Sequence, residues 1–208
     1  MKLIGLIMRC KLCDDKINNG PLLHYLFSED SICFKCRNSW SKKYKKFKIN
    51  GCIGESFYLY HSGFKDAIIQ YKECYDEYLS NIFLYNLINY INIKYHGYSI
   101  VLAPSSNSAY TKRGFNHLKL IFEHTNLKIV DILEKTNDIT HKKLNYKERQ
   151  HTNNIKIKDN ILIPNKILLV DDVYITGNTL NNCIIALKSN NTKLRVLTLS
   201  HNIDNNLL

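Results

Sequence analysis

The segment ILLVDDVYITGNTL, residues 167–180, predicts the fold and locates the chemistry of this chain. Its first four residues form a continuous apolar run, typical of a parallel strand that is covered on both faces. Asp171 and Asp172 follow where the strand should emerge, and Gly177 lies in a turn ahead of a helical pattern. Glycine allows close backbone approach, and the free N–H groups at a helix start can bind phosphate. The segment therefore predicts a strand, a phosphate-binding turn and a helix.

The residues of this turn are suited to a sugar phosphate. Thr176 and Thr179 add hydroxyl donors to the backbone amides. The two preceding carboxylates can hold sugar hydroxyls or a hydrated Mg²⁺, so one element would bind both parts of a ribose 5-phosphate. The alternative is an ordinary strand-to-helix turn in which the aspartates cap the helix. The sequence contains neither GxxxxGKS/T nor GxGxxG, so two other Gly-rich phosphate motifs are excluded.

Apolar runs and helical stripes alternate on both sides of this segment. Such alternation predicts an α/β domain with a mostly parallel sheet, in which ligands bind at the carboxyl ends of the strands. The predicted strands are 57–60, 99–103, 128–133 and 194–199, and the predicted helices are 63–71, 75–91, 115–122 and 179–187.

Charge divides the chain unevenly. The 208 residues carry a net charge of +11, and their 45% hydrophobic content can support a packed core. Residues 1–50 hold 11 basic and 4 acidic residues, a net +7, whereas residues 51–208 carry the remaining +4. This asymmetry predicts a small basic module at 1–50 and a larger, nearly balanced domain at 51–208.

The first residues do not predict a targeting signal. The stretch Met1–Ile7 is too short for a signal peptide, and is either part of the natural protein or an extension ahead of a start at Met8. No apolar run reaches the length of a membrane span. The expected location is therefore the cytoplasm.

Four cysteines in the first module have the spacing of a zinc site. Two CxxC pairs, Cys10 with Cys13 and Cys33 with Cys36, are separated by 19 residues. Paired thiolates on two turns can complete a tetrahedral all-sulfur site of the zinc-ribbon type. Two disulfides or redox pairs are the alternatives, and a cytosolic chain disfavours disulfides. The other three cysteines are predicted to be small buried hydrophobes: Cys52, Cys74 and Cys183.

A basic segment with interleaved rings follows the last of these ligands. Residues 37–48 hold six basic residues and no acidic one. Cations that track a phosphate backbone, beside rings on which bases stack, are typical of single-strand binding. An amphipathic linker whose rings pack against a domain is the equally weighted alternative. The candidate nucleic-acid residues are Trp40, Lys42, Lys43, Tyr44, Lys45, Lys46, Phe47 and Lys48.

Together these motifs resemble the ComF family, the phosphoribosyltransferase-like competence proteins of bacteria. The resemblance runs from Cys10 to about His201 and includes the four-cysteine module. It also includes YHSGFK at 60–65, Tyr71-Lys72, Ala103-Pro104, KRGFN at 112–116, a loop signature near 144–153, and VDDVYITGNTL. The resemblance implies a type I phosphoribosyltransferase-like parallel sheet flanked by helices, with a small N-terminal zinc-ribbon-like module.

The resemblance also implies roles for single residues. Asp171 and Asp172 would hold the ribose hydroxyls of 5-phosphoribosyl 1-pyrophosphate (PRPP), directly or through Mg²⁺. The backbone after Pro104 would correspond to a pyrophosphate loop, with Arg113 close enough to contact an anion. The 5-phosphate would be bound by Thr176, Gly177, Asn178 and Thr179, and a mobile lid would carry Lys142, Lys143, Lys147 and Arg149.

Some positions depart from the family pattern. Ile175 stands where the family often has Thr, which removes one hydroxyl from the loop. His117 and His141 replace residues that are often Gln, and each is interpreted as a tolerated polar substitution rather than a catalytic base.

The resemblance implies a competence protein that handles single-stranded DNA in the cytoplasm beside a competence helicase or translocase. It would bind a phosphoribosyl compound or a DNA-end phosphate, and would associate with the membrane only indirectly, through the uptake machinery. Its expected metals are structural zinc and, with a PRPP-like ligand, Mg²⁺. The alternative is an active Mg-dependent phosphoribosyltransferase that acts on an unidentified nucleobase or amine. A zinc-stabilised scaffold with a vestigial pocket is a third reading.

Overall fold

The computed structural model describes residues 9–17, 30–136, 154–188 and 192–202. Within these ranges the strands are β1 (Lys42–Ile49), β2 (Cys52–Leu59), β3 (Ser99–Leu102), β4 (Leu133–Lys135), β5 (Ile155–Ile157), β6 (Lys166–Tyr174) and β7 (Lys193–His201). The helices are α1 (Phe34–Asn38), α2 (Ser62–Glu73), a 3₁₀ helix (Glu77–Ile82), α3 (Ile88–Lys94), α4 (Asn107–Arg113), α5 (His117–Phe122) and α6 (Asn178–Leu187).

The central sheet has the strand order β1-β2-β7-β6-β3. β1 pairs antiparallel with β2, whereas β2 with β7, β7 with β6, and β6 with β3 pair in parallel. β4 and β5 form a separate antiparallel pair. The predicted α/β fold with a mostly parallel sheet is confirmed. Because its four parallel strands run in one direction, their carboxyl ends share one edge of the sheet.

β6 lies between β7 and β3 in this sheet. The side chains of Ile167 through Val170 are fully buried, as the continuous apolar run predicts. The strand is longer than predicted, because its pairing with β7 continues through Asp171 to Tyr174. The two aspartates therefore lie within the paired part of the strand and not after it. Asp171 pairs with Thr198 and Val173 with Ser200, so the backbone is held on both sides of Asp172.

Most of the other predicted elements are present, but the apolar stripe at 75–91 is not one helix. It divides into the 3₁₀ helix, a turn, and α3. Three consecutive residues, Ile82, Phe83 and Leu84, are buried together, which a helix with one apolar face cannot achieve. In the predicted strand at 128–133, Ile129 forms a single bridge to Ile100 and β4 begins at its last residue. Helix α4 was not predicted.

The basic segment after the cysteines forms β1, a strand that the sequence patterns did not predict. It lies at the edge of the central sheet, and its pairing with β2 is interrupted by a bulge between Lys42 and Lys45. The lysines of this strand are exposed or half-buried. Lysines on an edge strand also discourage pairing with other chains, so their exposure alone does not identify a binding site.

Two rings of the basic segment are buried, which corrects their predicted role in base stacking. Trp40 is 2% exposed, and its ring lies 5.0 Å from that of Phe64 and 5.4 Å from that of Tyr58. Phe47 is 6% exposed and stacks on Tyr174. Neither ring offers a free face to a base. The alternative that the rings pack against a domain therefore holds for these two.

Tyr44 is the ring of this segment that stays half exposed, but its hydroxyl group is engaged. It donates a hydrogen bond of 2.8 Å to the buried carboxylate of Glu55. The same carboxylate accepts from Tyr90 at 2.9 Å, from Lys94 at 2.5 Å and from Tyr95. Four donors compensate the desolvation of one buried charge and tie β1 and β2 to α3.

The division of the chain after residue 50 stays a prediction about folding units. In the structure, β1 and β2 form a continuous hairpin across that position. Across the part of the chain that the structure describes, no helix is both long and apolar enough to cross a membrane.

Candidate functional site

A cleft of about 350 Å³ opens at the carboxyl ends of β3 and β6. The segment 103–105 lines one side, and the segment 171–180 lines the floor and the opposite side. Lys72 and His117 close the cleft from α2 and α5. This is the edge at which parallel α/β sheets bind ligands.

The turn before α6 has the geometry of an anion site. Gly177 has φ +75°, a left-handed conformation that favours glycine, and a Cβ at this position would lie 2.7 Å from the Tyr174 ring and 3.0 Å from Ile49. The N-cap, Gly177, has no side chain to cap this ten-residue helix, and the Asn178 N–H makes one long contact of 3.5 Å to Thr176 Oγ1. The first turn of the helix therefore still presents N–H groups to a ligand.

An aromatic pair supports this turn from below. The rings of Phe47 and Tyr174 stack with centroids 4.4 Å apart and an interplanar angle of 7°. The Tyr174 ring lies against Gly177, so the loop rests on a pair that reaches it from β1 and β6. Side chains of the edge strand thus support the loop that contains Gly177.

Asp172 is the most constrained acid of the cleft. Its Oδ2 accepts a hydrogen bond of 2.6 Å from Lys72 Nζ, and its Oδ1 accepts one of 2.9 Å from the Val173 N–H. Although burial opposes ionisation, the Lys72 ammonium and His117 lower the pKa of Asp172 to about 2. The carboxylate is therefore charged at neutral pH.

Asp171 has the opposite electrostatic environment. Burial, together with the charge of neighbouring Asp172, raises the pKa of Asp171 well above its usual range. Its Oδ1 accepts a hydrogen bond of 3.0 Å from the Asp172 N–H. The pair therefore carries less negative charge than two free carboxylates would, and this reduces its repulsion of an anionic ligand.

His117 is a neutral donor that faces this pair. Burial lowers its pKa to about 4. The Arg113 guanidinium has only donors, so the 2.8 Å contact from Nη1 requires His117 Nδ1 to accept and places the ring proton on Nε2. His117 Nε2 lies 3.8 Å from Asp172 Oδ2, on the cleft side.

The structure brings most of the predicted phosphoribosyl residues together. Asp171, Asp172 and the segment 176–179 line one cleft, opposite Pro104. Arg113 is a correction, because it is not among the described residues that line the cleft; it lies behind His117 and also donates to the Lys72 carbonyl at 3.3 Å. The predicted lid residues Lys142, Lys143, Lys147 and Arg149, together with His141, lie outside the described residues.

Three cleft residues were given no role by the sequence patterns: Tyr60, Lys72 and Lys135. Lys72 lies 100 positions from the aspartate that it contacts. The signal available for it was its place in the stretch that resembles the family. No local spacing rule connects a lysine on one helix with a carboxylate on a distant strand.

The four predicted zinc ligands converge on one point. Their sulfur atoms all lie within 4.8 Å of one another, and the Cys13 and Cys33 sulfurs are 3.7 Å apart. Tetrahedral zinc with bonds of about 2.3 Å requires sulfur–sulfur distances of about 3.8 Å. Burial and the adjacent thiols raise the pKa of Cys36, so a bound cation is needed to keep the cluster ionised. The four cysteines can therefore hold a metal such as zinc.

The cysteine site is joined to the main sheet by Arg37. This buried side chain makes two 2.6 Å bonds to the Asp30 carboxylate and donates to the Ile82 carbonyl at 3.0 Å. Its guanidinium also lies 4.3 Å from the centre of the Trp40 ring. Helix α1, whose N-cap is the ligand Cys33, thus positions Arg37 against the core.

The predicted burial of the remaining three cysteines is confirmed for two of them. Cys52 and Cys183 are buried, as predicted. Cys74 is exposed, which corrects that prediction, because it caps α2 at the surface.

The comparisons with known proteins agree with the sequence motifs. Competence protein ComFC of Streptococcus pneumoniae (strain ATCC BAA-255 / R6) is 34% identical over 132 residues, which is 63% of this chain. The resemblance to the ComF family is confirmed. The match covers only 60% of the length of this ComF relative. No protein-family model matches the chain.

Solved structures also match part of the chain. Two crystal forms, tetragonal and orthorhombic, of a hypoxanthine phosphoribosyltransferase from Staphylococcus aureus each match 60% of this chain and 64% of their own. They are 21% and 20% identical to it, and each has a TM-score of 0.39.

We expect one zinc ion per chain, and we expect Cys33→Ser to lose it, because three thiolates cannot complete the tetrahedral site. The loss should also lower the melting temperature, since α1 carries Arg37 into the core. Inductively coupled plasma mass spectrometry measures the metal content. The exposed Cys74→Ser is the control and should keep its metal; equal zinc in both variants would contradict the assignment.

We expect His117 to make a contribution to stability that is lost as the pH drops from about 6.5 towards 4. An unfolded histidine takes up a proton near pH 6.5, whereas folded His117 resists it until about pH 4. The unfolded state therefore binds more protons in this window, with an effect on the order of 3 kcal/mol. Urea unfolding at several pH values should show that the free energy of unfolding of His117→Gln depends less steeply on pH than that of the unchanged protein. His124→Gln, at an exposed position, is the control and should keep the pH dependence of the unchanged protein. If His117→Gln also kept that pH dependence, the prediction would be refuted.

Proposed function

We propose that this protein acts in natural transformation, where it handles single-stranded DNA and binds a phosphoribosyl compound in its cleft. The observation that carries the proposal is the joining of a helix N-terminus, its left-handed N-cap Gly177 and a carboxylate pair in one cleft. The competence name of the relative supports the biological setting.

The two halves of the cleft suit the two halves of a ribose 5-phosphate. The 5-phosphate fits the turn, where Thr176 and Thr179 line the cleft beside the N–H groups of the helix start. The ribose hydroxyls fit beside Asp171, whose raised pKa allows its carboxyl group to donate as well as accept. His117 Nε2–H adds a neutral donor on the same side.

The basic edge strand lies close to this cleft. Burial first, and then the charges of Lys45 and Lys43, lower the pKa of His201 at the end of β7, so both lysines act on that end of the sheet. The His201 carbonyl accepts a 2.8 Å bond from the N–H of Tyr60, which lines the cleft. A strand of DNA along β1 would therefore pass the mouth of the phosphoribosyl site.

A resident Mg²⁺ does not fit the aspartate pair as it is arranged. The Lys72 ammonium holds Asp172 Oδ2 at 2.6 Å, and the Val173 N–H holds Oδ1. A metal ion would have to displace the lysine. The alternative function, a Mg-dependent transferase with a nucleobase or amine acceptor, therefore gains no support from this pair, and we derive no step through the metal.

The remaining partners are proposed from the resemblance alone. They are a competence helicase or translocase and, through the uptake machinery, an indirect membrane association. A cytoplasmic location belongs to the same proposal.

We expect ribose 5-phosphate to bind the cleft, and we expect the double change Thr176→Val, Thr179→Val to weaken it at least about tenfold. Each lost hydroxyl removes a charge-assisted hydrogen bond worth about 1.5–3 kcal/mol. Isothermal titration calorimetry measures the affinity. Thr111→Val, on exposed α4, is the control. Equal affinity in all three proteins would contradict phosphate binding at this turn.

For the DNA site, we expect replacement of four lysines by alanine to weaken single-strand binding uniformly across sequences; they are Lys42, Lys43, Lys45 and Lys46. The slope of log affinity against log salt should become shallower by about 0.7 for each lost phosphate contact. Fluorescence anisotropy with several oligonucleotides measures both effects. Lys156→Ala with Lys158→Ala on the β4–β5 side is the control. Unchanged affinity in the β1 variant would remove β1 as the DNA site.

A further inference from the structure

Lys72 supplies a built-in cation to the carboxylate pair of the cleft. Its Nζ lies 2.6 Å from Asp172 Oδ2, and the two side chains are 24% and 8% exposed. It lines the cleft together with the aspartates and the phosphate turn. An ammonium has three N–H donors, so the same group can hold Asp172 and still reach an anionic ligand oxygen.

The position of Lys72 is fixed from more than one side. Its carbonyl accepts a 3.3 Å hydrogen bond from Arg113 Nε, and Arg113 also holds the His117 ring at 2.8 Å. The neighbouring Tyr71 hydroxyl donates to the His117 carbonyl at 2.8 Å. These bonds join the last turn of α2 to the first turn of α5. The backbone of Lys72 is therefore held in place by its contact with Arg113.

The same contacts compete directly with a divalent ion. Mg²⁺ requires six oxygen ligands at about 2.0–2.1 Å in octahedral geometry. Asp172 Oδ2 already holds an ammonium, and His117 Nε2 lies 3.8 Å from the same atom. The other oxygen accepts the Val173 N–H. A second positive charge at this carboxylate would be repelled by Lys72 and would have to break the ion pair.

We propose that Lys72 serves in place of a divalent metal, so that the cleft binds its phosphoribosyl ligand without Mg²⁺. This inference rests on the proposed phosphoribosyl function and specifies how that site neutralises its ligand. Lys72 would stay on Asp172 and present its remaining donors to the ligand's phosphate oxygens.

The deciding experiment is calorimetric titration of zinc-loaded protein with PRPP in buffer cleared of divalent ions on a chelating resin, with and without added MgCl₂. We expect the two dissociation constants to agree within about threefold. Binding that is at least about tenfold weaker without Mg²⁺ would overturn the inference while leaving the proposed function standing. Absence of binding in both buffers would overturn the proposed function itself, and this inference with it.

Variants of Lys72 separate charge from packing. Lys72→Met should bind PRPP about tenfold more weakly without Mg²⁺, and added Mg²⁺ should restore binding because Asp172 is then free to take the ion. Lys72→Arg keeps the cation and should stay independent of Mg²⁺. Lys119→Met, an exposed lysine of α5, should behave like the unchanged protein in both buffers. Loss of Mg²⁺ independence in the arginine variant, or its retention in Lys72→Met, would contradict the assignment.

A measurement on the unchanged protein covers the case in which Lys72→Met fails to fold. Mn²⁺ alone is titrated and followed by electron paramagnetic resonance. We expect no site of micromolar affinity, since Lys72 occupies the carboxylate. A stoichiometric Mn²⁺ site of that affinity, lost in Asp172→Asn, would overturn the inference.

Discussion

The parallel pairing of β6 between β7 and β3 is the constraint on which the rest of the structure depends. It buries the apolar residues 167–170 completely and carries the two aspartates to the edge of the sheet on hydrogen-bonded backbone. The turn at Gly177 then follows directly, so the phosphate loop inherits its position from the strand. Because successive side chains of a strand alternate between the faces of the sheet, a shift of β6 by one residue would exchange the faces on which the two carboxylates lie. The relative positions of the site residues therefore depend on the register of this one strand.

Electrostatics within the cleft follow from that placement. Two adjacent carboxylates on a buried strand cannot both be charged at low cost, and the structure separates their behaviour: Lys72 keeps Asp172 ionised, while Asp171 is disposed to hold a proton. The ion pair gives little net stability, because desolvation of both groups offsets their attraction. The ion pair gives the cleft a floor that carries little net charge and offers N–H donors.

The sequence predicts local features well and distant contacts poorly. The apolar run of β6, the turn at Gly177 and the CxxC spacing each lie within a few residues, and the structure contains all three. Lys72 and Asp172 meet only because α2 packs at the carboxyl edge of the sheet, which no periodicity encodes. The strand β1 was missed for a related reason. Its alternation is obscured by lysines and a bulge, and burial of Trp40 and Phe47 depends on partners far along the chain.

The two buried rings change how the basic segment is interpreted. Trp40 ties it to the zinc-binding side through Arg37, and Phe47 ties it to the phosphate loop through Tyr174. The segment 40–47 therefore contacts both Arg37, next to the cysteine site, and Tyr174, which lies against Gly177 of the cleft. If the lysines served only to protect a sheet edge, their position relative to the cleft would be irrelevant. Burial first, and then the charges of Lys45 and Lys43, lower the pKa of His201, whose carbonyl accepts a hydrogen bond from the N–H of the cleft residue Tyr60. The start of β1, at Lys42, pairs with Tyr58 near the carboxyl end of β2, on the same edge of the sheet as the cleft.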